Sequence, residues 1–178
     1  MRIKVLMTAV FLNTLLISCK NEKSVDDLPI VQEKVAESKV SVTVDMLVTV
    51  DDSFQLFYSE DNTLNFSEDK CVRVNVKGKE TTQKIVFELP DDVGFTFLRF
   101  DVGENKQQKE MKIENFAIKY YDKKFEAKGN LFFQYFSAND QIKIDMDKST
   151  FITQGADTHD PVFYPLEPLG VELNKLIK

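Results

Sequence analysis

The sequence has no tryptophan, one histidine and few glycines, and each scarcity excludes a class of protein. A single histidine, His159, cannot build a multi-histidine zinc centre. The six glycines are scattered, so no glycine-rich phosphate loop is present. Without tryptophan, a sugar ring could stack only on tyrosine, which lowers the expectation of a stacking site. The five tyrosines are Tyr58, Tyr120, Tyr121, Tyr135 and Tyr164.

The sequence also lacks the Gly-x-Ser-x-Gly turn that presents a hydrolase serine. The remaining hydrolytic candidate is Asp157-Thr158-His159-Asp160, in which carboxylates flank the histidine. We interpret it as a surface loop, because Asp160 precedes Pro161 and the residue before proline favours an extended backbone. A hydrolase that uses Asp101 or His159 stays open as an alternative.

No apolar run is long enough to span a bilayer, but the N-terminus has the parts of a secretory signal. Arg2 and Lys4 precede the mostly apolar stretch 5–17, whereas a spanning helix needs about 20 apolar residues. Leu16-Ile17-Ser18-Cys19 follows and resembles the lipobox of bacterial lipoproteins. The resemblance implies that residues 1–18 are a signal peptide and that lipid is attached to Cys19.

Lipid on Cys19 would anchor the protein, since each buried methylene contributes about 0.8 kcal/mol. We therefore predict a membrane-anchored lipoprotein of the cell envelope, with the outer membrane favoured over the inner.

Cys71 would then be the only free thiol, which excludes a disulfide framework and a cysteine zinc site. In a strand, the alternation of Cys71-Val72-Arg73-Val74 would place Cys71 on the face opposite to that of the valines. It predicts a partly buried strand residue rather than a reactive thiol.

The predicted mature chain is acidic and has two parts. Removal of residues 1–18 takes Arg2 and Lys4 away and leaves 21 basic against 29 acidic residues, a formal charge of −8. Phosphate binding needs clustered lysine and arginine, so nucleic acid is excluded as a partner and anionic headgroups are disfavoured.

Residues 19–39 predict a flexible tether after the lipidated cysteine. Residues 40–178 predict one monomeric domain with its own core.

From Val40 onward, apolar and polar residues alternate in short segments separated by turn signals. Spacing of roughly 8 to 12 residues is typical of strands in an antiparallel sandwich or barrel. We predict an all-β, jelly-roll-like sandwich of two antiparallel sheets, with a C-terminal segment that is helical or extended. The predicted strands are 41–50, 54–58, 72–76, 84–89, 95–100, 111–121, 131–136, 141–146 and 149–153, followed by an extended segment at 161–168 and a short helix within 169–178.

Phenylalanine is frequent, with 15 residues in the chain. The two sheets of a sandwich lie about 10 Å apart, and large rings fill that space well. We therefore predict core packing rather than a ligand platform for a set of phenylalanines in the strands. They are Phe95, Phe97, Phe100, Phe132, Phe133 and Phe136.

Three segments resemble the β-sandwich accessory domains found beside some bacterial cell-surface glycosyltransferases. They are Gln83-Lys84-Ile85-Val86-Phe87-Glu88-Leu89-Pro90, Leu98-Arg99-Phe100-Asp101-Val102-Gly103-Glu104-Asn105 and Ile113-Glu114-Asn115-Phe116-Ala117-Ile118. The resemblance implies a jelly-roll-like module similar to carbohydrate-binding domains, without catalysis of its own. The sequence shows no transferase or transmembrane region, so no particular substrate or partner is implied.

Several polar residues near one turn are candidates for a site. Arg99 and Asp101 share one face of a strand, because side chains alternate with a period of two. We expect a fold-stabilising ion pair, with ligand contact as the alternative. Asp101, Glu104 and Asn105 around Gly103 offer oxygen ligands, but their spacing matches no established calcium loop. We predict no metal and no cofactor.

The predicted function is a non-catalytic binding module that recognises a glycan through Arg99, Asp101, Asn105 and Tyr135. One alternative is a structural or assembly lipoprotein that docks on an envelope protein through an exposed edge strand. The other is the hydrolase. A concave groove lined by tyrosine and polar residues would favour glycan binding, whereas clustered carboxylates in a deep pocket would favour catalysis. An exposed apolar patch would favour a protein partner.

Overall fold

The computed structural model describes residues 39–154 and 158–178. The predicted signal peptide, Cys19 and the tether up to residue 38 lie outside the described residues, as does Asp157. Eleven strands and one α-helix are present in the described part, together with two 3₁₀ helices, Glu68–Lys70 and Gly129–Gln134. The elements are β1 (Val40–Leu47), β2 (Asp52–Ser59), β3 (Cys71–Val76), β4 (Gln83–Leu89), β5 (Phe97–Val102), β6 (Met111–Tyr120), β7 (Lys123–Lys128), β8 (Phe136–Ala138), β9 (Ile142–Asp145), β10 (Thr150–Thr153), β11 (Val162–Pro165) and α1 (Glu167–Ile177).

The strands form two antiparallel sheets packed on one core, which confirms the predicted β-sandwich. The first sheet has the order β4-β1-β6-β10-β9, and β7 also pairs with β6. The second sheet has the order β3-β2-β5-β11-β8. Most connections cross from one sheet to the other, which agrees with the jelly-roll-like prediction.

Alternation in β1 shows how the sequence specifies these sheets. Its inward side chains are apolar and fully buried, and its outward side chains are short and polar. A shift of one residue in register would expose the whole apolar set, so the pairing with β4 and β6 is strongly specified. The inward residues are Val40, Val42, Val44 and Met46, and the outward ones are Ser41, Thr43 and Asp45.

Phenylalanine rings fill the space between the sheets, as predicted. Phe100 lies at an edge-on angle to Phe87 and Phe132, with centroid distances of 5.8 and 6.5 Å. Phe132 stacks on Phe136 at 4.7 Å. Burial of such rings contributes more than their area alone, because edge-to-face and offset pairs are favourable. Of the six predicted core phenylalanines, only Phe97 is not buried; it is partly exposed.

The predicted strand 131–136 is wrong. Gly129–Gln134 forms a 3₁₀ helix, which begins at a positive φ of 53° at Gly129, and only Phe136 belongs to a strand. The reason lies in the spacing of the rings. Phe132, Phe133 and Phe136 are all buried, whereas a strand would have turned two neighbouring rings to opposite faces.

Strand β7 was not predicted, and β5 lies two residues later than expected. Four of the six residues of β7 are charged, and only Phe125 and Ala127 face inward, so its apolar signal is short. The preceding turn contains Tyr121 with a positive φ of 56°, a conformation that sequence patterns rarely signal for tyrosine. Phe95 precedes β5 and packs its ring against Tyr120 at 6.0 Å.

The C-terminus is more regular than predicted. Its extended part contains β11, and α1 begins two residues earlier than the expected short helix. Leu169, Leu173 and Leu176 recur at helical spacing and are buried, and α1 contacts β5 and β7. Val171, on the same helix, is 49% exposed.

Candidate functional site

Arg99 and Asp101 face the same side of β5, as predicted, and contact each other. The Arg99 Nε and Nη2 groups donate to the two Asp101 carboxylate oxygens, each at 2.8 Å. The side chains are 20% and 13% exposed. Such a two-pronged pair satisfies both charges within the protein and leaves the carboxylate with little surface for a ligand.

Two aromatic rings lie close to the guanidinium of this pair. The Arg99 Cζ atom lies 4.0 Å from the ring centre of Phe57 and 5.3 Å from that of Phe66. Burial raises the pKa of the Asp101 carboxyl, and the hydrogen bond and positive charge of Arg99 lower part of that rise. The arrangement therefore fits an internal structural contact of the second sheet.

The turn after β5 does not gather its oxygen atoms around one point. The Asn105 side chain donates to the Asp51 carbonyl oxygen at 3.0 Å, and Glu104 forms an ion pair with Arg73. Asp101 is already paired with Arg99. Among residues 39–154 and 158–178, no three His, Cys, Asp or Glu side chains lie together as a metal site requires.

Tyr135 has a separate environment from the other predicted site residues. Its ring packs edge-on against Phe125 with a centroid distance of 4.9 Å, and its carbonyl oxygen accepts from the Leu166 N–H at 2.8 Å. The residue closes the 3₁₀ helix through its own N–H. The fold thus joins Arg99 to Asp101 but gives Asn105 and Tyr135 other partners.

His159 lines a small cavity together with Asp101, Asp160 and Ser53. The cavity has a volume of about 110 Å³, and both imidazole nitrogens are buried without a hydrogen-bond partner in the described part of the chain. The Ser53 hydroxyl instead accepts a hydrogen bond from Arg73 at 3.2 Å. Nucleophilic catalysis needs a nucleophile hydrogen-bonded to its base, and that contact is not formed between Ser53 and His159.

A larger groove lies on the outward face of the first sheet. It has a volume of about 520 Å³ and is formed where β4, β1, β6 and β7 lie side by side. Because these strands are in register, their outward side chains form three rows across the sheet. The rows are Lys124-Lys119-Ser41-Glu88, Glu126-Ala117-Thr43-Val86 and Lys128-Asn115-Asp45-Lys84, and all of these except Lys128 line the groove.

Side-chain size gives the groove its shape. The two middle strands carry short side chains, and Ser41 and Ala117 are only 9% and 7% exposed. The outer strands carry long charged side chains, such as Glu88 on β4 and Lys124 on β7. The groove therefore runs along the strands, with β1 and β6 as its floor. From the first row to the third it extends about 14 Å, at about 3.4 Å per residue.

Asn115 is the central polar group on the groove floor. Its Nδ2 donates to the Asp45 carboxylate at 3.3 Å and also bonds to Glu126. Since both carboxylates only accept, they fix the orientation of the amide. The Asn115 Oδ1 atom is buried and has no hydrogen-bond partner among the described residues, and such a group costs about 1 to 3 kcal/mol.

Charges of both signs line the groove. Lys124 forms an ion pair with Glu126 at 2.8 Å, and this hydrogen bond lowers the pKa of the Glu126 carboxyl. None of the residues that line the groove is aromatic. Any ligand would be held by hydrogen bonds and charge rather than by stacking.

An apolar cavity of about 470 Å³ lies elsewhere, beside α1. Its lining includes Leu64, Leu166 and Val171, which are 55%, 36% and 49% exposed, and Phe97. Exposed apolar side chains that gather at one place are typical of a contact surface. The sequence gives no signal for this surface, because its residues come from three separate segments.

Comparison of the chain with protein-family models, with curated proteins and with solved structures finds no match. In the part of the chain that the structure describes, no helix is both long and apolar enough to cross a bilayer. Function therefore has to be argued from the two surfaces and from the N-terminal motif.

Proposed function

We propose that this chain is a lipid-anchored protein of the cell envelope whose β-sandwich is a non-catalytic module that binds a glycan. The observation that carries the proposal is the groove of the first sheet. The groove has short side chains on its floor and long side chains on its walls, and it extends along the strands. This shape fits a linear chain that lies along the strands.

The groove lacks the tyrosines expected of a glycan site, and the support for a glycan comes from its hydrogen-bonding groups alone. A glycan presents hydroxyl groups, each of which donates and accepts hydrogen bonds. The Ser41 and Thr43 hydroxyls and the Asn115 amide lie along the floor, and carboxylates and ammonium groups form the walls. An apolar ligand would leave these groups without partners, which is costly.

The anchoring part of the proposal is supported by the N-terminal sequence. Leu16-Ile17-Ser18-Cys19 ends an apolar segment of signal length, and residues 20–38 separate Cys19 from the first described residues. A module held in this way would sample ligands near a membrane surface. The outer membrane is the favoured location, and no nucleic acid partner is proposed for an acidic chain.

A glycan array probed with residues 20–178 tests the binding proposal. Hits should be lost in Thr43→Trp, because a large ring on the floor would fill the groove. Thr43 faces outward, so this change leaves the core intact. The matched control is Ser137→Trp, at an exposed position of β8 in the second sheet. This variant should keep every hit. An array without hits, or hits that survive Thr43→Trp, would refute binding in the groove.

Docking on an envelope protein is the second candidate, and the apolar cavity beside α1 favours it. In a pull-down from envelope extract, Val171→Asp should then release the captured protein while Thr43→Trp does not. A hydrolase has less support, because neither His159 nitrogen contacts a nucleophile among the described residues. The predicted edge-strand docking is replaced here by an apolar surface at the helix.

A further inference from the structure

We propose that the glycan carries N-acetylamino groups, and that Lys84, Val86 and Glu88 of β4 bind one of them. The inference rests on the proposed function, since it names the class of sugar for the same groove. It depends on the order of side chains along one wall, where an apolar contact lies between a positive and a negative group.

The middle row of the groove contains the two apolar side chains that line it. Val86 on β4 and Ala117 on β6 lie on either side of Thr43 on β1, which pairs in register with both. Val86 is 38% exposed, whereas its neighbours Ile85 and Phe87 face inward and are buried. An exposed valine within a polar groove offers a contact to a small apolar group. The methyl of an acetyl group has this size and character.

Lys84 and Glu88 flank Val86 on the same face of β4. Each lies two residues from Val86, which is about 7 Å along the strand at about 3.4 Å per residue. Both side chains are exposed and line the groove. Within residues 39–154 and 158–178, neither side chain forms an ion pair. One side of Val86 therefore offers a hydrogen-bond donor to a ligand, and the other side offers an acceptor.

The side chains opposite Lys84 and Glu88 leave these groups available. Asp45 pairs in register with Lys84, but its carboxylate accepts from the Asn115 amide at 3.3 Å. Ser41 lies opposite Glu88 and presents a hydroxyl, which can donate or accept. The Lys84 ammonium thus keeps its donor hydrogens for a ligand, and the Glu88 carboxylate keeps its acceptor oxygens.

An N-acetylamino group matches this order of side chains. Its amide is planar and trans, so the N–H and the C=O point in opposite directions. With the methyl on Val86, the N–H donates to Glu88 and the C=O accepts from Lys84. A hydroxyl at the same position of the sugar has no methyl and cannot bond to both sides. A peptide has an amide at every residue, about 3.4 Å apart, and would leave most of its amides away from this one pair.

Binding of the full chain, purified in detergent, to three oligosaccharides tests the inference. The probes are linear oligomers of N-acetylglucosamine, N-formylglucosamine and glucose, with the same linkage and length. All three are neutral, so charge does not contribute to a difference between them. We expect the acetylated oligomer to bind about tenfold tighter than the glucose oligomer, and about fourfold tighter than the formylated one, which keeps the amide but lacks the methyl.

Variants then locate the acetyl group. Val86→Thr puts a hydroxyl in place of a methyl and should abolish the preference for acetyl over formyl. Lys84→Met and Glu88→Met keep the length of the side chain and should each weaken the acetylated oligomer about tenfold. The controls are Ile152→Thr on β10, where the parent residue is also 38% exposed, and Lys143→Met at an exposed position of β9; both should keep full binding. Melting temperatures should stay unchanged in all five, because the altered side chains are exposed.

Failure of this inference differs from failure of the proposed function. Equal binding of the three oligomers, abolished by Thr43→Trp, would keep glycan binding in the groove and refute the N-acetylamino group. A preference for acetyl that survives the three β4 variants would also refute it, as would an alanine-rich peptide that displaces the acetylated oligomer at equal concentration. If none of the oligomers binds, the inference falls, and the glycan array then decides separately whether the proposed function stands.

Discussion

The guanidinium of Arg99 and the carboxylate of Asp101 form two parallel hydrogen bonds of 2.8 Å on one face of β5. The pair belongs to the second sheet, whereas the groove belongs to the first. Phe57 and Phe66 lie close to the guanidinium, so it is held by charge, hydrogen bonds and ring contacts together. This relation supports a role in stability rather than in ligand binding.

Arg99→Ala should lower the free energy of unfolding by roughly 1 to 3 kcal/mol, because it leaves the mostly buried Asp101 carboxylate without its partner. Arg99→Lys keeps the charge but loses the two-pronged geometry, and should cost less. Urea denaturation of the three proteins measures both effects. Glycan affinity should stay the same, and an unchanged melting temperature for Arg99→Ala would contradict the structural role.

The cost of Arg99→Ala should depend on pH. Burial raises the pKa of the Asp101 carboxyl, and without Arg99 the main opposing influence is gone. A carboxyl with a raised pKa in the folded state favours folding below its unfolded pKa of about 3.9 and loses that contribution as pH rises through the folded pKa. The stability difference from the parent should therefore be smaller at pH 4 than at pH 7, in denaturation curves taken at both. An equal difference at both pH values would argue against the unpaired charge as the cause.

Gly103→Ala should destabilise the domain by more than about 1 kcal/mol. Gly103 has a φ of 87°, and an added Cβ would lie 2.5 Å from an Asp52 carboxylate oxygen. The other oxygen of Asp52 accepts the N–H groups of Glu104 and Asn105 at 2.8 and 3.0 Å, so the clash would disturb the whole turn. Gly94→Ala is the control, since its added Cβ meets no atom within 4 Å. Thermal melts of equal midpoint for both variants would show that the Asp52 contact is dispensable.

Alternation along the chain predicted the two sheets well because inward residues such as Val42 and Val44 are separated by polar ones. Alternation predicted a strand wrongly at 131–136, because this segment is mostly a 3₁₀ helix in which the neighbouring rings of Phe132 and Phe133 are both buried. The pair of Arg99 and Asp101 could be predicted since both residues lie on one strand. Lys119 and Lys124 could not, because their opposition depends on a turn with positive φ at Tyr121 and on a strand, β7, with a short apolar signal.

Cys71 should react slowly with alkylating agents at neutral pH, at a rate that still rises above pH 9. Burial raises the pKa of its thiol, and the negative charge of Glu68 raises it further, so little of the reactive thiolate is present at pH 7. Iodoacetamide labelling of residues 20–178, followed by mass spectrometry across pH, measures this. Glu68→Gln should speed the reaction by lowering the thiol pKa. A rate that levels off at the same pH as that of free cysteine would show an ordinary thiol.

Under the proposed lipidation, Cys19→Ser should abolish lipid attachment, because serine cannot form the thioether that would carry the lipid. Two or three acyl chains together make release from a bilayer negligible, since each buried methylene contributes about 0.8 kcal/mol. The parent should be cleaved and incorporate labelled palmitate, whereas the variant should remain an uncleaved precursor without label. Cys71→Ser is the matched control and should behave like the parent, because Cys71 lies on β3 of the folded domain. Palmitate incorporation by Cys19→Ser would overturn the lipoprotein assignment without affecting the groove.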